Sequence, residues 1–344
     1  MKITLILFLL IGRALADVVP VPGTQPVAPI FARSDLVCNC VVESIRVSEE
    51  QILLRGGKPV TRRHIIASTH VNEAYNREMK SGTRIKIVFD EEVPSTSGSM
   101  PAVSASEQAI IFLRLSGPAV FEFADPFLGV TPFSAIPIGG NQTQLGLMRL
   151  ETALAVILES HNHDDQINAL RLLQGFDELS SASLTRLETL SASSDEEVAI
   201  SAIAVLVKTK SPESVRRLVD YLSTHGGSAQ SLAVVSIGTE LGRVADPEAL
   251  TSLENLASSR YVPLRLGALA GIRNIKNPKS AGVLVKRLDD PDTNVRYLAV
   301  ITLSEIFTLG GEYSPTMYLF DQNPDSYTQR WKSWWIKEGH DLPK

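Results

Sequence analysis

The sequence predicts a multidomain protein, with an all-β domain (a small barrel or sandwich) followed by an all-α solenoid of stacked helix pairs. Three observations carry this expectation. Residues 34–140 hold five runs rich in β-branched and aromatic residues, each bounded by Gly, Pro, Ser or acidic turns. Residues 144–310 repeat an alanine-centred helical segment five times. All three tryptophans, Trp331, Trp334 and Trp335, fall within five positions of the closing segment 311–344. A chain of 344 residues is long enough for two domains, and 44% hydrophobic with 21% charged residues is the balance of a globular chain, not a disordered one.

The chain opens MKITLILFLLIGRALADV. One lysine, an apolar run from Ile3 to Ile11 and the ending Ala14-Leu15-Ala16 mark residues 1–16 as a secretory signal peptide cleaved after Ala16, although Arg13 interrupts the usual pattern. The run is shorter than the roughly 20 residues that span a bilayer. The mature chain is therefore expected to be exported, periplasmic or extracellular, and not transmembrane. Its net charge is −5, or −7 once Lys2 and Arg13 leave with the signal. That lacks the basic field that DNA or RNA demands, so no nucleic-acid partner is expected. Residues 17–33, including the proline-rich VVPVPGTQPVAP from Val18 to Pro29, read as an extended linker.

The five expected strands are DLVCNCVVESIRV, VTRRHIIASTHVNEAY, TRIKIVF, QAIIFLRLSG and AVFEF, with a loop over Pro94 to Ser106. Cys38 and Cys40 lie two apart on the first, facing one side, where a bridge is geometrically awkward. They read as small buried hydrophobes; an exporting compartment permits oxidation without requiring it. SDLVCNCVVESIRV and QAIIFLRLSG resemble strands of the OB-like barrel of netrin-type modules and tissue inhibitors of metalloproteinases. Those inhibitors act through a cysteine at the mature N-terminus. Residue 17 here is Asp, so the resemblance implies the fold and no protease inhibition.

In the helical part, QINALRLL, AISAIAVL, QSLAVVSI, RLGALAGI and RYLAVITL align on Ala169, Ala202, Ala233, Ala268 and Ala299, at intervals of 33, 31, 35 and 31 residues. Large aliphatics follow each alanine by one turn, and only Asp165 in the first copy breaks the apolar column one turn before it. An alanine there lets the next helix pair approach closely. Second helices lie between: SASLTRLETLSA, ESVRRLVDYLST, PEALTSLENLAS and NPKSAGVLVKRL. LDDPDTNVRYLAVITLSEI, Leu288 to Ile306, resembles HEAT repeats of the PBS-lyase-like subtype, matching them at Asp290, Pro291, Asp292, Val295, Arg296 and Ala299. Arg265 matches Arg296, whereas Gln166, Ala199 and Gln230 replace the arginine elsewhere, which puts a continuous ladder in doubt. The resemblance implies an α-solenoid scaffold and fixes no activity.

Such a stack exposes an apolar face at its end. A helix beginning at Asp325 or Ser326 would set Tyr327, Trp331, Trp334 and Trp335 on one side, at the spacing of a plug. The alternative is an exposed glycan platform made of the same three tryptophans. His161, His163 and Asp164, with Asp165, form the best metal candidate, but they lack a completing ligand and fit a helix-capping turn, with Asp164 or Asp165 as N-cap. The LDDPD acids lack EF-hand spacing. No HExxH, GxSxG, Walker loop or dinucleotide fingerprint is present. Asn141-Gln142-Thr143 is a glycosylation sequon.

The expectation is a non-catalytic scaffold without cofactor that binds a protein partner through outward positions of the second helices: Arg186, Glu188, Arg216, Arg217, Asp220, Glu254, Lys286 and Arg287. The competing readings are a cell-envelope or carbohydrate binder using the tryptophans and a metal-dependent hydrolase using the histidines.

Overall fold

The computed structural model describes residues 27–55, 57–93, 104–125, 130–136, 146–225 and 232–339. The signal segment, most of the expected linker, residues 94–103 of the loop, Asn141, Ala229, Gln230 and His340 lie outside the described residues. The chain forms two compact units which, over the described residues, comprise 27–189 and 190–339.

The first unit holds a six-stranded sheet: β1 (Leu36–Arg55), β2 (Lys58–Ala74), β3 (Thr83–Val93), β4 (Gln108–Gly117), β5 (Val120–Phe123) and β6 (Val130–Phe133). β1 runs antiparallel to β2 along its length, and to β4 from Leu36 to Val41. β2 pairs with β3, β3 runs parallel to β5, and β4 pairs with both β5 and β6. Pairings therefore lead from β1 through β2, β3, β5 and β4 back to β1. Alternate residues of the strands meet in one core that includes Leu36, Val71, Ile87, Ile111 and Phe121. Cys38 and Cys40 belong to it as free, fully buried thiols. The hydrogen bond with Cys38, followed by burial, pushes the Cys40 thiol up from its ordinary range.

Three features of this unit differ from expectation. The described end of the expected linker is not extended: Val27–Arg33 forms a helix, α1. Val27 and Ile30, one turn apart, are buried, and the Val27 N–H donates to the Gly175 carbonyl at 2.7 Å. A sixth strand, β6, is added; its four residues include Pro132, too little signal to read. The division between units falls at 189/190, not near 140. Helices α2 (Leu147–Ile157) and α3 (His163–Leu173) are bonded to the sheet. Arg149 pairs with Glu73 of β2 at 2.7 Å, with both side chains largely buried, and Asn168 Nδ2 donates to the Pro132 carbonyl at 2.9 Å. Asp165, the break in the apolar column, is buried because its carboxylate accepts the Ser134 backbone N–H at 2.7 Å and the Ser134 hydroxyl. α4 (Ser181–Leu190) follows.

Tyr75 lies fully buried just past β2, and its hydroxyl has no hydrogen-bond partner among the described residues. Burial, reinforced by the Glu73 carboxylate, holds the phenol far above its ordinary pKa. An unsatisfied buried hydroxyl is a net cost, so Tyr75→Phe is expected to raise stability by about 1 kcal/mol in urea unfolding. A loss of stability would mean that the hydroxyl is bonded.

The second unit is helical: α5 (Glu196–Val207), α6 (Pro212–Thr224), α7 (Leu232–Leu241), α8 (Leu250–Leu256), α9 (Val262–Ile275), α10 (Ala281–Arg287), α11 (Thr293–Ile306), α12 (Met317–Gln322) and α13 (Pro324–Glu338), with single 3-10 turns before α8, α10 and α12. The first helices α5, α7, α9 and α11 neighbour one another in that order. All five aligned alanines, Ala169 of α3 included, are buried.

One turn recurs before α3, α5, α9 and α11. The N–H of Ser160, Ser193, Ser259 or Asp290 bonds back to the carbonyl three residues earlier. The side chain of the same residue then accepts the N–H two residues on, at Asn162, Asp195, Tyr261 or Asp292. Asn162, Asp195 and Asp292 cap the helices that follow, so the α3 cap is Asn162 and neither Asp164 nor Asp165. Six residues after the turn residue, Arg265 and Arg296 donate to the carbonyls of Ser259 and Asp290, and Gln166 does the same to that of Ser160. The glutamine replaces the arginine and keeps its backbone contact. Arg265 also reaches Asp290 in the next turn, a buried pair at 2.9 Å.

Between α7 and α9 the backbones nearly touch. A Cβ on Gly267 would lie 2.1 Å from the Gly238 carbonyl oxygen, and one on Gly238 would lie 2.4 Å from that of Pro263. Glycine, not the aligned alanine, sets the separation of this pair.

Candidate interaction surface

The second helices α6, α8 and α10 form the surface for which binding was expected. Ser211 caps α6 through the Ser214 N–H, with Pro212 in its first turn. Val215 and Leu218 are buried, while Val219 and Leu222 are half-buried on the flank. α8 stops after Leu256, and residues Ser258 to Tyr261 turn the chain into α9.

Between these elements lies a groove of about 290 Å³. Val219 and Leu222 of α6, Leu256 and Tyr261 form its apolar part, and Ser223, Asn255, Ser258 and Ser259 supply hydroxyl and amide groups. Among the described residues of this lining, Arg260 alone is charged. Its Nη2 donates to the Tyr261 hydroxyl at 2.7 Å, with the guanidinium 4.8 Å from the ring centre. Tyr261 occupies the position that Asn162, Asp195 and Asp292 fill in the other turns, and it makes no side-chain cap to α9. The ring lines the groove instead. At the end of α6, Tyr221 stacks on His225 with centroids 4.4 Å apart and donates its hydroxyl to the Glu196 carbonyl.

The eight outward residues named from the sequence are divided by the fold. Arg186 and Glu188 belong to the first unit, the others to the second. Most are tied within the chain. Arg186 pairs with Glu159, Arg216 with Glu213 and Asp220, and Arg217 with Glu213. Glu254 accepts the Ser280 hydroxyl at 2.8 Å, and Arg287 lies 3.6 Å from Asp290. Lys286 is exposed. None of the eight lines the groove. The available signal was Tyr261 in a capping position, where an aromatic residue has no capping role.

The tryptophans do not form an exposed platform. Trp331 is fully buried, its Nε1 donating to the Tyr313 carbonyl at 3.0 Å, with Trp334 edge-on at 5.3 Å and Tyr313 at 5.0 Å. Trp334 and Trp335 are half-buried against the same core that runs through α5 to α11, and Trp334 lies 4.6 Å from Phe307. His161, His163 and Asp164 are exposed, while Asp165 points to Ser134. Among the described residues no group of three or more His, Cys, Asp or Glu is arranged to hold a metal. Among them, too, no helix is long and apolar enough to cross a membrane.

No protein-family model matches the chain, and no curated protein does. Among solved structures it is similar to the crystal structure of an engineered protein, a Northeast Structural Genomics Consortium target, at 20% identity over 46% of this chain and 79% of that one, with a TM-score of 0.34. A likeness of that strength carries no argument about fold or function.

Proposed function

We propose that this chain is a non-catalytic, exported protein-interaction scaffold. Its helical unit is a HEAT-like solenoid that binds a protein partner on its second-helix face, and its β unit is an OB-like barrel serving as a second module. The four congruent turns and the ordered neighbours α5, α7, α9 and α11 support the solenoid reading. The return of strand pairing from β4 to β1 supports the barrel. The signal-like opening supports export.

The single observation that carries the binding reading is the groove between α6 and α8. It is apolar in its body, polar at its rim, and of a size to take one or two anchoring side chains of a partner rather than a larger small molecule. The test is capture from envelope and secreted extracts by the wild-type chain and two variants. Leu222→Asp places a charge in the apolar part. Asn255→Trp fills the groove from an exposed position and leaves the core untouched. A protein retained by wild type and lost from both variants is expected; equal retention on all three refutes the groove.

A further inference from the structure

Past Val42, β1 continues to Arg55 with β2 on one side and no strand on the other among the described residues. Glu43 to Leu54 thus present a row of backbone donors and acceptors without a strand partner among the described residues, a template that accepts an extended strand. The stretch contains neither the proline nor the lysine that blunt such edges in monomeric proteins; its irregularities are bulges at Glu43, between Val42 and Ser44, and at Ser48, between Val47 and Glu49. Apolar groups stand exposed along it: Val47 at 49%, Ile52 at 76% and Leu54 at 75%.

Two of the charges on this edge, Arg46 and Glu49, have no partner of opposite sign among the described residues. Arg46 is exposed and has no acidic partner among the described residues, and Glu49 bonds only Gln51 Nε2. Glu43 and Glu50, by contrast, are already engaged, by His70 with Arg84 and by Arg63. Antiparallel pairing of β1 with itself about a two-fold axis between Val47 and Ser48 sets Arg46 of each copy opposite Glu49 of the other. A self-complementary edge of this kind closes on itself as a two-fold dimer.

We propose that β1 is a homodimer interface in which two copies pair antiparallel through Glu43 to Ile52, forming one continuous sheet. Sedimentation equilibrium on the full mature chain tests this. Wild type is expected to reach the mass of two chains at micromolar concentration. Arg46→Glu and Glu49→Arg alone should each weaken the dimer by at least about tenfold through like-charge juxtaposition, and the combined swap should restore it. Circular dichroism of each variant checks that the sheet is intact. A wild-type chain monomeric throughout overturns the proposal, as does a dimer indifferent to both single changes or a swap that fails to restore it.

Discussion

Gly267→Ala is expected to lower the stability of the helical unit by about 3 kcal/mol. In an ordinary exposed helix the same change stabilises by about 1 kcal/mol, because alanine is the better helix former. Here the added methyl would sit 2.1 Å from the Gly238 carbonyl oxygen and 2.9 Å from the Gly238 Cα. Both are backbone atoms of α7, so no rotamer change relieves the clash and the two helices must separate, opening the core around Ala268 and Ile237. Gly282→Ala is the internal control. Its new methyl would meet nothing nearer than Trp335 at 4.0 Å, so the propensity gain should survive. Urea unfolding followed by tryptophan emission reports on this unit alone, since all three tryptophans lie in it. A neutral or stabilising Gly267→Ala would show that α7 and α9 do not approach as described.

Trp331→Ala should cost about 4 kcal/mol, the range for deleting a buried aromatic side chain. Three losses combine: the largest fully buried side chain among the described residues, the bond from Nε1 to the Tyr313 carbonyl, and the edge contacts with Trp334 and Tyr313. Trp331→Phe keeps most of the volume and loses the bond, and is expected to cost about half as much. Near-UV circular dichroism and urea unfolding give the readouts. If Trp331→Ala unfolds like wild type, the closing helix is an appendage and not the cover of the α11 end of the core.

What the sequence disclosed follows from how far each signal reaches along the chain. The repeat was legible because an alanine at a fixed position of every first helix needs no distant information, and Ala169, Ala202, Ala233, Ala268 and Ala299 are all buried. The helix carrying the tryptophans was legible from their spacing, and it begins at Pro324, capped by Asn323, one or two residues before the expected start. The recurring turn was only half legible. Serine at 160, 193 and 259 does the work of Asp290, and Gln166 does that of Arg265, so a search for identical residues found one full copy where the hydrogen bonds show four.

The remainder depended on contacts between distant residues. Nothing local ties Arg149 to Glu73, or Asp165 to Ser134, yet these bonds place α2 and α3 with the sheet. The groove was illegible for a related reason. Charged residues were taken as the contacts, whereas on α6 the charges satisfy one another along the helix, Arg216 with Glu213 and Asp220, and the open surface is the half-buried Val219 and Leu222 beside Tyr261.

The most direct test of the scaffold account is a titration of the protein retained by the wild-type chain, once purified, against wild type and Asn255→Trp by calorimetry. The account predicts saturable one-site binding by wild type and affinity at least about tenfold weaker for the variant, with unchanged unfolding. Equal affinity for the two chains would contradict it and place the binding surface outside the groove between α6 and α8.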